Sequence, residues 1–124
     1  MLPLDPESYL AQDRAAEWKS EFQDGEMFPI EAVSYRHSTI AANLVFALKL
    51  RLRAVGCSIQ PRPLRARVTP SKYLYPDLQI VCGNPELTDE HADTLVNPRV
   101  VIEILSPSTA DYDHGGKFEL YRLS

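Results

Sequence analysis

Cysteine, tryptophan and glycine are all sparse in this chain: two, one and five residues respectively among 124. Cys57 and Cys82 stand far apart with no second pair, so a disulfide scaffold is not expected and a reduced, cytoplasmic setting is. Neither they nor His37, His91 and His114 show CxxC or HxxxH spacing, which argues against zinc. The longest unbroken apolar run, Leu44 to Leu48, is about five residues, far below the roughly 20 that span a bilayer, so no membrane association is expected. Met1 to Glu7 carries two prolines and two acids and does not read as a signal peptide. Ser106-Pro107-Ser108 lacks the glycines of a nucleophile elbow. Gly115-Gly116 is too short for a phosphate loop and instead eases entry into a helix.

What is present is an ordinary globular composition, 44% hydrophobic and 24% charged, at the size of a single domain over residues 1–124. The net charge of −4 conceals a segregation. Residues 1–31 and 77–124 are each acidic in balance. Residues 32–76 contain no acid, but hold Arg36, Lys49, Arg51, Arg53, Arg62, Arg65, Arg67 and Lys72. Such a basic middle either presents a positive face to a polyanion or is simply a solvated helix face and hairpin.

Asp5-Pro6-Glu7 predicts a helix start, with proline in the first turn and a helix through Ser8 to Lys19. Asp24-Gly25 between Glu21-Phe22-Gln23 and Glu26-Met27-Phe28 predicts a hairpin, whose second strand is demoted to an edge by Pro29 and Glu31. Ser34 caps a long helix whose apolar stripe runs Ile40, Leu44, Leu48, Leu52 and which stops near Gly56. Short strands follow at Cys57 to Ile59 and Leu64 to Val68. Leu78 to Cys82 forms a further strand, entered through Tyr75-Pro76-Asp77. Residues 83–98 read as an acidic surface loop and Val100 to Leu105 as a buried central strand, with a helix from Asp111 or Asp113 to the end.

Glu103 is the most anomalous residue of this pattern. It shares a strand face with Val101 and Leu105, where a carboxylate costs several kcal/mol unless a charge or metal satisfies it. Asp77 stands at the mouth of the preceding strand, and two carboxylates on adjoining strands can converge on one magnesium ion. Lys117, on the apolar stripe of the last helix with Leu120 and Tyr121, would then bring an ammonium beside them. Plainer readings stand beside these: an Asp after proline as a turn former, and a helix lysine that snorkels to solvent. Arg65 and Arg67 alternate onto one strand face, which either touches phosphate or is a solvated edge.

Tyr75-Pro76-Asp77-Leu78, Val101-Ile102-Glu103-Ile104-Leu105-Ser106-Pro107-Ser108-Thr109, Tyr112-Asp113, Lys117-Phe118 and Tyr121-Arg122 together resemble the Uma family of putative restriction endonucleases. The likeness extends to Asp24-Gly25-Glu26, to His37 with Ile40 and Leu44, and to Asn97-Pro98. That family, long catalogued as a domain of unknown function, sits within the PD-(D/E)XK nuclease superfamily. The resemblance implies an α/β restriction-endonuclease-like core, a mixed β-sheet flanked by helices, and hydrolysis of phosphodiester bonds in nucleic acid, DNA above all. It implies Mg2+ or Mn2+ as cofactor, with Asp77 and Glu103 as metal-binding catalytic acids and Lys117 as catalytic lysine in place of the usual position, which here is Leu105. By the same resemblance Glu21 assists the metal. Arg62, Arg65 and Arg67 are the expected nucleic-acid contacts. His37 matches a recurrent histidine without an assigned role.

Departures accompany the likeness. Pro63 stands where relatives often carry an Asp, and Glu31-Ala32 replaces a small Ala-Gly pair. Relatives continue with further strands beyond the lysine-bearing helix, so the family's C-terminal strands are expected to be missing and the open sheet edge to favour a homodimer. The competing reading is a catalytically degenerate module of the same fold that binds nucleic acid or a protein partner.

Overall fold

The structure, a computed structural model, describes residues 3–105 and the backbone of 117–122. Its elements are α1 (Pro6–Ala15), β1 (Ser20–Gln23), β2 (Glu26–Pro29), α2 (Tyr35–Ala54), β3 (Cys57–Pro61), β4 (Arg65–Thr69), β5 (Lys72–Leu74), β6 (Leu78–Cys82), β7 (Thr94–Leu95), β8 (Val100–Leu105) and β9 (Lys117–Arg122). They form an α/β fold with two sheets, ordered β2-β1-β5-β4-β7 and β3-β6-β8-β9. The first sheet is mixed, because β7 runs parallel to β4 while its other pairs are antiparallel. No helix among the described residues is long and apolar enough to cross a membrane.

Helix α1 begins where its capping chemistry dictates. Asp5 accepts the Ser8 N–H at 2.7 Å, and Pro6 takes the first turn. It stops at Ala15, four residues before the sequence reading had it, because the Lys19 ammonium folds back to the carbonyls of Asp13 and Ala16. The chain then enters the β1–β2 hairpin. Asp24 and Gly25 both have positive φ, 48° and 89°, as a two-residue turn matched to strand twist requires. A side chain at Gly25 would also strike the Pro3 Cβ at 2.6 Å. As expected, β2 is an edge strand.

Ser34 caps α2 by accepting the His37 N–H at 3.1 Å, and the helix ends two residues before Gly56. The predicted stripe does the packing. Ala41, Leu44, Val45, Leu48 and Leu52 lie on Ile59, Leu78, Ile80 and Ile102 of the second sheet. Each of those four strand residues is buried, which contributes on the order of 2 kcal/mol apiece. A second core, Tyr9, Leu10, Phe22 and Tyr73, seals α1 against the first sheet.

Three expectations need correction. Residues 83–98 are not all surface loop, since Thr94 and Leu95 are buried and pair with Arg65 and Ala66 as strand β7. The described part of the predicted C-terminal helix, Lys117–Arg122, is a strand antiparallel to β8. Phe118 and Leu120 are as well spaced for period two as Lys117, Leu120 and Tyr121 are for a helix, and the free edge of β8 offers backbone partners. The rest of that helix, with the Ser106 to Thr109 strand end and Gly115-Gly116, lies outside the described residues. Finally, the cysteines are not free thiols: the β3–β6 register sets Cys57 opposite Cys82, and their sulfurs are bonded.

Candidate active site

Alternation along two strands builds one cavity. On β1, Phe22 faces the α1 core, which turns Glu21 and Gln23 the other way. On β8, Ile102 packs beneath α2, so Val101 and Glu103 point to the opposite face. Asp77 closes the turn into β6, and His37 heads the inward stripe of α2. These side chains and Arg62 bound a cavity of about 780 Å3, whose remaining wall is largely the connection 29–34 between β2 and α2.

Asp77 is buried and tightly held. One of its oxygens, Oδ2, accepts the Ile104 N–H at 2.7 Å, tying the end of β6 to β8 beside Glu103. The other, Oδ1, is 2.6 Å from the His37 Nε2 and 3.3 Å from the Arg62 Nη2. Arg62 is itself positioned by donating to the Tyr75 carbonyl at 2.9 Å. Glu21 accepts the Tyr75 N–H at 2.8 Å, which anchors it two residues from Asp77.

Glu103 carries the electrostatic consequence. Its burial, then the neighbouring charges of Asp77 and Glu21, push its pKa up from 4.5 to about 8, and Arg62 opposes this only in part. Among the described residues, the carboxyl groups of Glu21, Glu31, Asp77 and Glu103 line one cavity with the cations Arg62 and Lys72. Sequence reading had placed Asp77, Glu103 and Glu21 together, and the structure does bring them together.

The remaining expected residues divide. Arg62 is at the cavity. Arg65 is not: it is 2% exposed and buried beneath α1, where it ion-pairs with Asp13 at 2.8 Å and with Asp93 at 3.2 Å. Arg67 lies two residues along the same strand and pairs with Tyr73 of the α1 core, so its side chain too lies on the face away from the cavity. Neither can meet a phosphate held by Asp77 and Glu103. Lys117 is on a strand rather than a helix, and its backbone partner is Leu105.

Sequence reasoning missed Lys72, which lines the cavity from β5, and the backbone donors Tyr75 and Ile104. It noted His37 but not its partner. The signal was available, since His37 precedes Ala41 and Leu44 at helical spacing and so points inward with them.

Among the described residues, no three His, Cys, Asp or Glu side chains converge as a complete metal cage. The donor set nonetheless suits a hard cation. Magnesium is ordinarily held by one or two carboxylates, with water and substrate phosphate completing its shell, and Asp77 and Glu103 are neighbouring oxygen donors.

Comparison with known proteins agrees with this geometry. Residues 6–124 match the Uma2 family model, described as "Putative restriction endonuclease". Two uncharacterized proteins of Synechocystis sp. are similar over almost the whole chain. One, sll1609, is 33% identical over 120 residues, 96% of this chain and 68% of its own length. The other, slr1290, is 32% identical over 119 residues, 95% of this chain and 62% of its own. A crystal structure from Anabaena variabilis, of a "putative nuclease belonging to DUF820", superposes with a TM-score of 0.68 at 20% identity, covering 88% of this chain and 62% of that one. The chain thus spans between 62% and 68% of the lengths of these relatives. Its fold is that of the Anabaena protein, and the chain belongs to the Uma2 family.

Proposed function

We propose that the chain carries the catalytic acids of a divalent-metal-dependent nuclease that hydrolyses phosphodiester bonds, with DNA as substrate and Mg2+ or Mn2+ as cofactor. The observation that carries this reading is the crowding of Asp77, Glu103 and Glu21 on one cavity, strongly enough to hold Glu103 in its protonated form near neutral pH. These acids line a cavity of about 780 Å3, together with Arg62 and Lys72.

In this reading Asp77 and Glu103 are the cation's protein ligands, and Glu21 adds negative charge at the same wall. The ion, when bound, neutralises the scissile phosphate and lowers the pKa of a bound water. Each residue of the chain then has a limited task. Ile104 and Tyr75 fix the acids through backbone N–H groups at 2.7 and 2.8 Å. Arg62 and Lys72 supply positive charge at the cavity wall for the phosphate backbone, taking the role first expected of Arg65 and Arg67. Lys117, opposite Leu105 in register, is the proposed cationic partner of the attacking water.

The test is plasmid cleavage with Mg2+ or Mn2+ by wild type, Asp77→Asn and Lys117→Ala. Cleavage by the wild type, lost on removal of the metal and reduced at least about 100-fold in Asp77→Asn, is the expected result. Activity untouched by either substitution contradicts the assignment of these residues. Salt-dependent binding without cleavage in any variant would establish the competing reading, a module of this fold that holds nucleic acid without turnover.

A further inference from the structure

The two oxygens of Asp77 are treated very differently by the fold. A carboxylate offers about four lone-pair sites. At Oδ1 two cationic or donor groups compete for them: the His37 Nε2 at 2.6 Å and the Arg62 Nη2 at 3.3 Å. At Oδ2 the Ile104 N–H donates at 2.7 Å, and Ile104 is the residue next to Glu103, whose carboxyl also hydrogen-bonds to Asp77. Oδ2 is thus the oxygen on the side of the strand that bears the second acid, away from His37 and Arg62.

We propose that His37 is a positioning residue, which clamps Oδ1 so that Asp77 meets the cation through Oδ2 alone. This rests on the nuclease reading but concerns a residue to which that reading gives no part. The fold invests in the clamp. Ser34 fixes the first turn of α2 through the His37 N–H, and the helix stripe below it is packed on the second sheet, so the imidazole is delivered by a rigid element. The side chain is only 12% exposed, and that of Asp77 only 3%. A partner that holds the second oxygen of a metal-binding carboxylate typically changes metal affinity about 10- to 100-fold when it is removed.

The opposite role has the same geometry. As stand-ins that a cation must displace from Asp77, His37 and Arg62 would have the opposite sign of effect on binding. Calorimetric titration of the full chain with Mn2+ separates the two roles, using wild type, His37→Ala and His37→Gln, with bound Mn2+ read independently by electron paramagnetic resonance. The clamp predicts Mn2+ affinity at least about 10-fold weaker in His37→Ala. It predicts return to within about three-fold of wild type in His37→Gln, whose amide N–H can still donate to Oδ1. Unchanged or tighter binding by His37→Ala, at an unaltered melting temperature, overturns the proposal and leaves the nuclease reading intact. Should His37→Ala fail to fold, a His37→Gln affinity more than about 10-fold below wild type overturns it instead. Wild-type protein that takes up no Mn2+ at all removes the nuclease reading, and the clamp with it.

Discussion

Two regions of this molecule bury acidic side chains, and they do so in opposite ways. Beneath α1, Asp13 is fully buried and accepts from Arg65, from the Tyr75 hydroxyl and from the Ser20 N–H. Arg65 in turn donates to Thr94 at 2.7 Å and lies over the rings of Tyr9 and Tyr75. Asp93 joins Arg65 to Arg14, whose hydrogen bonds and charge hold the Asp93 carboxyl well below its usual range. Acids and bases alternate, so Asp13 and Asp93 each meet a guanidinium directly. In the cavity, Asp77 is held by the half-buried Arg62 and a histidine, while Glu103, crowded by Asp77 and Glu21, responds by retaining its proton. Acids paired directly with bases close a structure, whereas crowded acids beside a cavity invite a cation.

Substitutions should separate the two regions. The largest effect is expected beneath α1: Arg65→Leu leaves Asp13 buried without its ion pair and should cost about 3–5 kcal/mol in urea unfolding. A cost below about 1 kcal/mol would show that the network is dispensable. Reducing the Cys57–Cys82 bond, which closes a separation of 25 residues, should cost about 3 kcal/mol by the same assay.

In the cavity the sign reverses. Glu103 has a folded pKa raised above its ordinary 4.5, so its contribution is fully present below that value and is lost as pH rises toward about 8. Metal-free wild type should therefore lose stability between about pH 5 and 8, relative to Glu103→Gln, which should show no such slope while being unable to cleave. Equal slopes in both proteins would mean that Glu103 is not crowded. The smallest effects are expected at the flanking bases. Arg62→Ala and Lys72→Ala should raise the KM for DNA a few-fold and each lower the salt slope of binding by about one, with Arg67→Ala unchanged in both.

How far the sequence revealed all this also differs between the two regions. The cavity acids were legible because Glu103 violates the burial rule of its own strand, and Asp77 sits after a proline at a strand mouth. Alternation then set both on the right face without knowledge of the partner strands. The α1 network was not legible. Asp13 follows Tyr9 and Leu10 at inward helical spacing, but nothing in the local pattern pairs it with Arg65, 52 residues away. Arg65 was consequently read as a phosphate contact. The C-terminal helix failed for another reason: Lys117–Arg122 fits both periods, and an unpaired strand edge decided between them. The disulfide depended on a register that only pairing of β3 with β6 supplies.

The central claim is that the excess negative charge of the cavity belongs to a divalent cation. Carbon-13 NMR titration of the Glu103 side-chain carboxyl, without and with saturating Mg2+, tests it most directly. A cation seated between Asp77 and Glu103 predicts a midpoint near 8 in the metal-free protein that falls into the ordinary carboxylate range when Mg2+ is added. A midpoint that Mg2+ leaves unmoved, or one already near 4.5 without it, would contradict the claim.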